Sequence, residues 1–243
     1  MNPLTVTVDE LRAVAALADV VLPRFVTADD DSDPRVDAAA LRGLAARALV
    51  TLDQEVRLGA ELSRLCGRPD SVVELEVEAG GALLRCAVVG ATVFGEQQAG
   101  LVRLEPAGSP LDLVNRLGRL DQIAEPGPHC FTVPTKRYLA ADDLLFAGDP
   151  EAAVAALGRP GADAWIEAVR TRRHSVSVAA ARGHLAVELC WLVAGDGTAW
   201  RVTTGPAGVA GSTEVTTVRQ VAAAELAEAL AEVLEPASEV VAR

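Results

Sequence analysis

Val73-Glu74-Leu75-Glu76-Val77-Glu78-Ala79-Gly80-Gly81-Ala82-Leu83-Leu84-Arg85-Cys86-Ala87-Val88-Val89 is the stretch that decides the fold of this 243-residue chain. Successive side chains of a strand point to opposite faces. The alternation of Val73, Leu75 and Val77 with Glu74, Glu76 and Glu78 therefore predicts a half-buried strand. Gly80-Gly81 suits a two-residue hairpin turn, and residues 83–89 return as the second strand. Residues 101–105 read as a third. Ser109-Pro110 then opens a helix, with Ser at the cap and Pro in the first turn, and Leu113, Val114, Leu117 and Leu120 on its buried face.

Towards the N-terminus the period changes to that of a helix. Thr7-Val8-Asp9-Glu10 is a capping box, in which the Thr oxygen takes a free helix N–H and the Glu reaches back to the cap. Leu11, Val14, Leu17, Ala18 and Val21 follow at helical spacing until Pro23 ends the run. Two more helices are expected over residues 36–49 and 53–66, the second stopped by Gly67 and Pro69.

Beyond the link Glu125-Pro126-Gly127-Pro128, a short strand at 130–133 precedes helical patterns at 136–146, 150–157 and 162–172. The order strand, hairpin, strand, strand, helix then recurs. Cys86 falls opposite Cys190 and Leu83 opposite Val187 at an offset of 104, whereas Val73 and Leu75 match Val176 and Val178 at 103, which implies a one-residue slip. Asp112, Leu113, Leu117 and Leu120 meet Glu225, Leu226, Leu230 and Val233 at an offset of 113. We read an internal duplication, with halves 1–123 and 124–243 forming one folding unit of the α+β class.

Composition narrows the function classes. Half of the residues are hydrophobic, which excludes a disordered chain. The 34 acidic residues outnumber 22 Lys and Arg, a formal charge of −12. That argues against nucleic acid and anionic membranes, both of which recruit cationic surfaces. The first ten residues lack a basic n-region and an apolar h-region. The longest uncharged stretch, residues 202–213, is only 12 long, against the ~20 needed to cross a bilayer. Cys66, Cys86, Cys130 and Cys190 form no CxxC pair, so a reduced, cytoplasmic protein with buried thiols is expected.

No constellation of catalytic residues stands out. Asp29, Asp31 and Asp33 occupy the first ligand positions of an EF-hand, but Pro34 stands where the turn needs Gly and Ala40 where a Glu should close the loop. A solvated acidic loop is the better reading. His129 and Cys130 are adjacent, and an enzyme using them as a thiol hydrolase is the alternative to a binding role. Neighbours on a strand, however, point to opposite faces. His174 and His184 match no metal spacing and are expected at the surface. Gly205, Gly208 and Gly211 lack the Lys-Ser/Thr of a P-loop and precede a strand, not a helix. Neither cofactor nor metal is expected.

Residues 91–99 carry a different signal. They join two strands and place Phe94 beside Gln97 and Gln98. An exposed Phe buried against a partner contributes about 1.5–3 kcal/mol, as an interface anchor does. The competing reading continues Val93 and Phe94 into the core as strand. Val93, Phe94, Glu96, Gln97 and Gln98 are the candidate partner-binding residues.

The element order resembles the EspG-like chaperones of type VII (ESX) secretion in actinobacteria. The likeness rests on the capped first helix, on Leu41-Arg42-Gly43-Leu44, and on Glu61-Leu62-Ser63-Arg64-Leu65-Cys66-Gly67-Arg68-Pro69 ahead of the first strand. It extends to Phe131-Thr132-Val133-Pro134 opening the second half and to the closing strand and Ala/Glu/Leu helix. The resemblance implies a quasi-twofold α+β fold, with a central, mostly antiparallel sheet and a helical bundle from each half. It also implies a non-catalytic, cytosolic chaperone that shields the helical tip of a PE–PPE or WXG100-like secretion substrate. A loop of the first half, matching residues 91–99 in position, and the C-terminal helical bundle would make the contact.

Overall fold

The computed structural model describes residues 3–234 apart from 19, 28–33, 53–55, 67–71, 98–99, 183–184 and 207–213. Asp29–Asp33, Gln98, His184, the middle of the glycine-rich loop and the segment from 235 onward lie outside the described residues. The first half runs β1 (Leu4–Thr7), α1 (Val8–Ala18), α2 (Arg24–Thr27), α3 (Pro34–Ala46), β2 (Val50–Leu52), β3 (Val56–Leu58) and α4 (Ala60–Leu65). It continues with β4 (Val72–Ala79), β5 (Ala82–Val89), β6 (Thr92–Glu96), β7 (Leu101–Pro106) and α5 (Pro110–Gly118). The second half runs β8 (Cys130–Pro134), α6 (Thr135–Phe146), α7 (Pro150–Leu157), α8 (Ala162–Arg170), β9 (His174–Arg182), β10 (Leu185–Val193), β11 (Ala199–Pro206), β12 (Glu214–Val221) and α9 (Ala223–Leu234).

Ten strands form one antiparallel sheet in the order β1-β7-β6-β5-β4-β9-β10-β11-β12-β8. Read outward from its centre, that order is the same in both directions. The halves join through β4 and β9, paired from Val72↔Ala181 to Ala79↔His174. In one hairpin Leu75 faces Cys86, and in the other Val178 faces Leu189. Both pairs obey an offset of 103, so the expected one-residue slip is absent. The ladders are unbroken, and the counterpart of Cys86 is Leu189, not Cys190. A match of identical residue types had outweighed the alternation that fixes which face a residue occupies.

Cross-strand partners share a face, so the register also assigns the two faces. One face is covered at its middle by α5 and α9, over a cluster containing Val73, Leu75, Val77, Cys86, Val176, Val178, Leu189 and Trp191. On the opposite face α1–α4 cover one end, over Val89, Phe94, Val102 and Leu104. Helices α6–α8 cover the other end, packing Trp165 and Ile166 on Leu192, Trp200 and Val218. Among the described residues no helix lies over the middle of that second face, along β4 and β9.

Local chemistry explains the elements. The capping box forms as read: the Thr7 N–H donates to Glu10 Oε2 at 2.8 Å and the Glu10 N–H to Thr7 Oγ1 at 3.1 Å. Glu10 also takes an ion pair from Arg47 at 2.5 Å, which ties the start of α1 to the end of α3. The helix expected over 53–66 is only α4, preceded by the β2–β3 hairpin. Gly59 marks the change, because a Cβ there would sit 2.8 Å from the Ala48 carbonyl oxygen while its N–H donates to Leu49 at 2.7 Å. The chain passes too close to the end of α3 for a side chain.

Candidate functional site

Between the two helix groups the uncovered face forms a groove. Its floor is Glu74, Glu76 and Glu78 of β4 beside Ala179, Ser177 and Ser175 of β9, in that pairing. Glu188 and Cys190 of β10 extend it on one side, and Arg85 and Leu83 of β5 on the other. The alternation read from the sequence placed these glutamates facing away from the core, and they do; what they face is a cleft.

The charges on this floor are mostly engaged. Arg24, at the start of α2, gives its N–H to Glu74 at 2.5 Å and its guanidinium at 3.5 Å. Arg172 pairs with Glu78 at 3.0 Å. Arg85 grips Glu96 with two bonds of 2.7 and 2.8 Å, and its guanidinium carbon sits 6.0 Å from the centre of the Phe25 ring. Glu76 is exposed, with no ion pair among the described residues. These contacts fasten both walls to the floor, so the groove is held open by its own rims.

An apolar cavity of about 290 Å³ opens from the floor under α8. Leu83, Trp165, Cys190, Leu192, Trp200 and Val202 line it. Trp165 and Trp200 meet with their ring planes tilted by 52° across 5.6 Å, and Trp200 is anchored by its indole N–H donating to Thr198 Oγ1 at 3.1 Å. Leu83 stands at the mouth, 53% exposed. Phe146, at the end of α6, is 97% exposed. A rigid aromatic wall, a free leucine and a polar rim suit an apolar anchor from another protein.

The two halves of the floor differ. At the offset of 103 the positions of Glu74, Glu76 and Glu78 correspond to Ser177, Ala179 and Ala181, and that of Arg85 to Glu188. Along the two central strands one side of the axis is therefore acidic and the other is built of hydroxyl and methyl groups, while on the flanking strands Arg85 stands opposite Glu188.

The expected partner-binding residues fare unevenly. Phe94 is 0% exposed, packed in the core of the first half, and Val93 is buried on the opposite face. The reading of either as an exposed anchor is corrected: residues 92–96 are the strand β6, whose Cys86↔Gly95 to Val89↔Thr92 ladder carries both side chains inward. Glu96 is held by Arg85, and Gln97 is exposed just past the strand. The groove itself was missed in the sequence. Its signal was the run Ser175-Val176-Ser177-Val178-Ala179, whose outward face is too small and uncharged for a solvated surface.

His129 and Cys130 are not brought together. The His129 ring stacks on Trp200 at 6.0 Å, while Cys130 is exposed on the edge strand β8, and no hydrogen bond joins them. Of the thiols expected to be buried, Cys66 and Cys86 are, and burial pushes both up to about 11. Cys190 is half-buried and also raised by burial. His174, expected at the surface, is buried at the start of β9, with its Nε2 3.3 Å from the Gly118 carbonyl. The cause is α5, whose last turn lies across it. Among the described residues no group of three His, Cys, Asp or Glu side chains is arranged to hold a metal, and no helix is long and apolar enough to cross a membrane.

No family model and no curated protein matches the sequence. Thirteen chains of solved structures match the fold. One belongs to the structure of the Mycobacterium tuberculosis type VII secretion system chaperone EspG5 in complex with the PE25–PPE41 dimer. It superposes with a TM-score of 0.60 over 98% of each chain, at 12% identity. This chain has an EspG-like fold. The EspG-like architecture expected from the element order is thus present over nearly the whole length: α+β, with a large central antiparallel sheet flanked by helices.

Proposed function

We propose that this chain is a non-catalytic, cytosolic chaperone that covers the apolar helical tip of a PE–PPE-type secretion substrate. The observation that carries the reading is the uncovered groove with its aromatic-walled cavity, in a fold whose solved neighbour is in complex with such a dimer. A WXG100-like client has no counterpart in that complex.

The physics needs no catalyst. A helical tip rich in apolar side chains aggregates unless it is covered, and a stable cover takes about 800 Å² per partner. Leu83, Trp165 and Trp200 offer the apolar centre, and Glu76, Glu188 and the ion-paired rim offer the polar border. Mutual repulsion from the net charge of −12 keeps the unloaded protein dispersed. We also propose that the two halves arose by duplication. The outward-symmetric strand order, the shared register offset of 103, and helices α5 and α9 starting 113 residues apart support it.

The test is co-expression with PE–PPE pairs from the same genome. A complex with one copy of each chain is expected on size exclusion. Leu83→Asp, at a largely exposed position, should weaken it by about tenfold or more, since a carboxylate desolvated in an apolar pocket costs more than 1.4 kcal/mol. Its circular dichroism and melting should match the parent. A parent protein that retains no PE–PPE pair, or a variant that binds unchanged, refutes the reading.

A further inference from the structure

On the face opposite the groove, a second cavity of about 480 Å³ lies between the end of α5 and the open ends of β4, β5, β9 and β10. Arg116 and Arg119 enter it from α5, and Arg173 and His174 from the start of β9. Among the described residues no carboxylate lines it, in a chain with 34 acidic residues and 22 Lys and Arg. Acids line the adjoining cavities: Asp121 one that shares Arg116, Arg119 and Gln122, and Glu105 and Asp112 another that shares Arg116. Arg116 and Arg119 are exposed, and their guanidinium groups make no hydrogen bond or ion pair among the described residues. Arg173 gives one guanidinium N–H to the Gly195 carbonyl.

A structural reason for these cations would be the α5 C-terminus, whose free carbonyls carry about half a negative charge. Three guanidinium groups exceed that need. The other half of the molecule offers a comparison: at the offset of 113, Ala229 and Glu232 within α9 correspond to Arg116 in α5 and to Arg119 just past its end, so these cations are not a feature the two helices share. Arg119 moreover holds a left-handed backbone, φ 50°, at the end of α5, a conformation unusual for a bulky residue.

We propose that this cavity binds a small molecule carrying a multiply charged phosphate-type oxyanion. The guanidinium forks meet such oxygens with paired hydrogen bonds. Leu84, Leu117 and Val193 form an apolar flank for the uncharged part of the ligand. The volume is in the range of small-molecule sites. The bound anion would lie beside His174, whose proton affinity is lowered chiefly by burial and further by Arg119 and Arg173.

Calorimetry of the full chain with inorganic pyrophosphate at low salt tests the assignment. Saturable binding is expected. The Arg116→Gln/Arg119→Gln double variant should weaken it by about tenfold or more, while Arg137→Gln/Arg159→Gln, with the same loss of charge on α6 and on the link between α7 and α8, should not. NMR titration should find His174 taking its proton at higher pH when pyrophosphate is bound. Absence of binding, equal effects of the two double variants, or a His174 titration unmoved by saturating pyrophosphate overturns the proposal. Tighter binding of hexaglutamate than of pyrophosphate also overturns it, because the site would then serve an acidic peptide.

Discussion

His174 illustrates how one residue reports on its surroundings. Burial lowers its proton affinity from the ordinary value of 6.5; the bond to the Gly118 carbonyl pulls the other way, and Arg119 and Arg173 add to the lowering. The unfolded chain takes up a proton near pH 6.5 while the folded one does not. Just below that value the unfolded state therefore holds more protons, and stability rises with pH. The contribution is complete above 6.5 and is lost as the pH falls towards the folded-state value. Urea midpoints at about pH 5.5 and about pH 7 should differ for the parent, and His174→Gln should narrow that difference. An unchanged difference would assign the pH dependence to other groups.

Strand β6 shows at the level of elements why part of the chain was hard to read. Thr92-Val93-Phe94-Gly95-Glu96 is short, carries Gly, and buries Val93 on one face and Phe94 on the other. With no polar side there is no alternation to detect, and the segment passes for a loop with a sticky residue. Phe94→Ala should cost about 3–5 kcal/mol, the penalty of an emptied aromatic site, read as a lower urea midpoint in the isolated protein. A variant as stable as the parent would restore Phe94 to the surface. The β2–β3 hairpin escaped for a similar reason, with three residues per strand inside a stretch of helical spacing. By contrast the β4–β5 hairpin, α1, α5, α6, α7 and α9 each show a clear period over two or more turns or pleats, and their positions follow from the sequence to within a few residues. The groove was not legible. Its walls, Trp165 and Trp200, lie 35 positions apart, and its floor was read as solvent-facing glutamate.

Over the whole molecule, β4 and β9 weld the halves. Eight residue pairs cross between them, and the cluster beneath α5 and α9 draws Val73 and Leu75 from one half and Val176 and Val178 from the other. Opening either half exposes the other's sheet edge and empties a shared core. All three tryptophans, Trp165, Trp191 and Trp200, lie in the second half, so their fluorescence reports on that half and, through Trp191, on the shared core, while far-ultraviolet circular dichroism reports on both halves. Urea unfolding followed by the two probes should give coincident curves. Separated midpoints would make each half an independent folding unit.

A scaffold that looks alike from either end carries a floor that does not. Half a turn about the central axis would exchange three carboxylates for a hydroxyl and two methyl groups. A guest made of two matching halves would gain nothing from that axis, since one half would meet the glutamates of β4 and the other the small side chains of β9. On the proposed function, a guest with unlike ends would have one seat and one direction of approach, and the molecule would act less as a clamp than as a keyed socket.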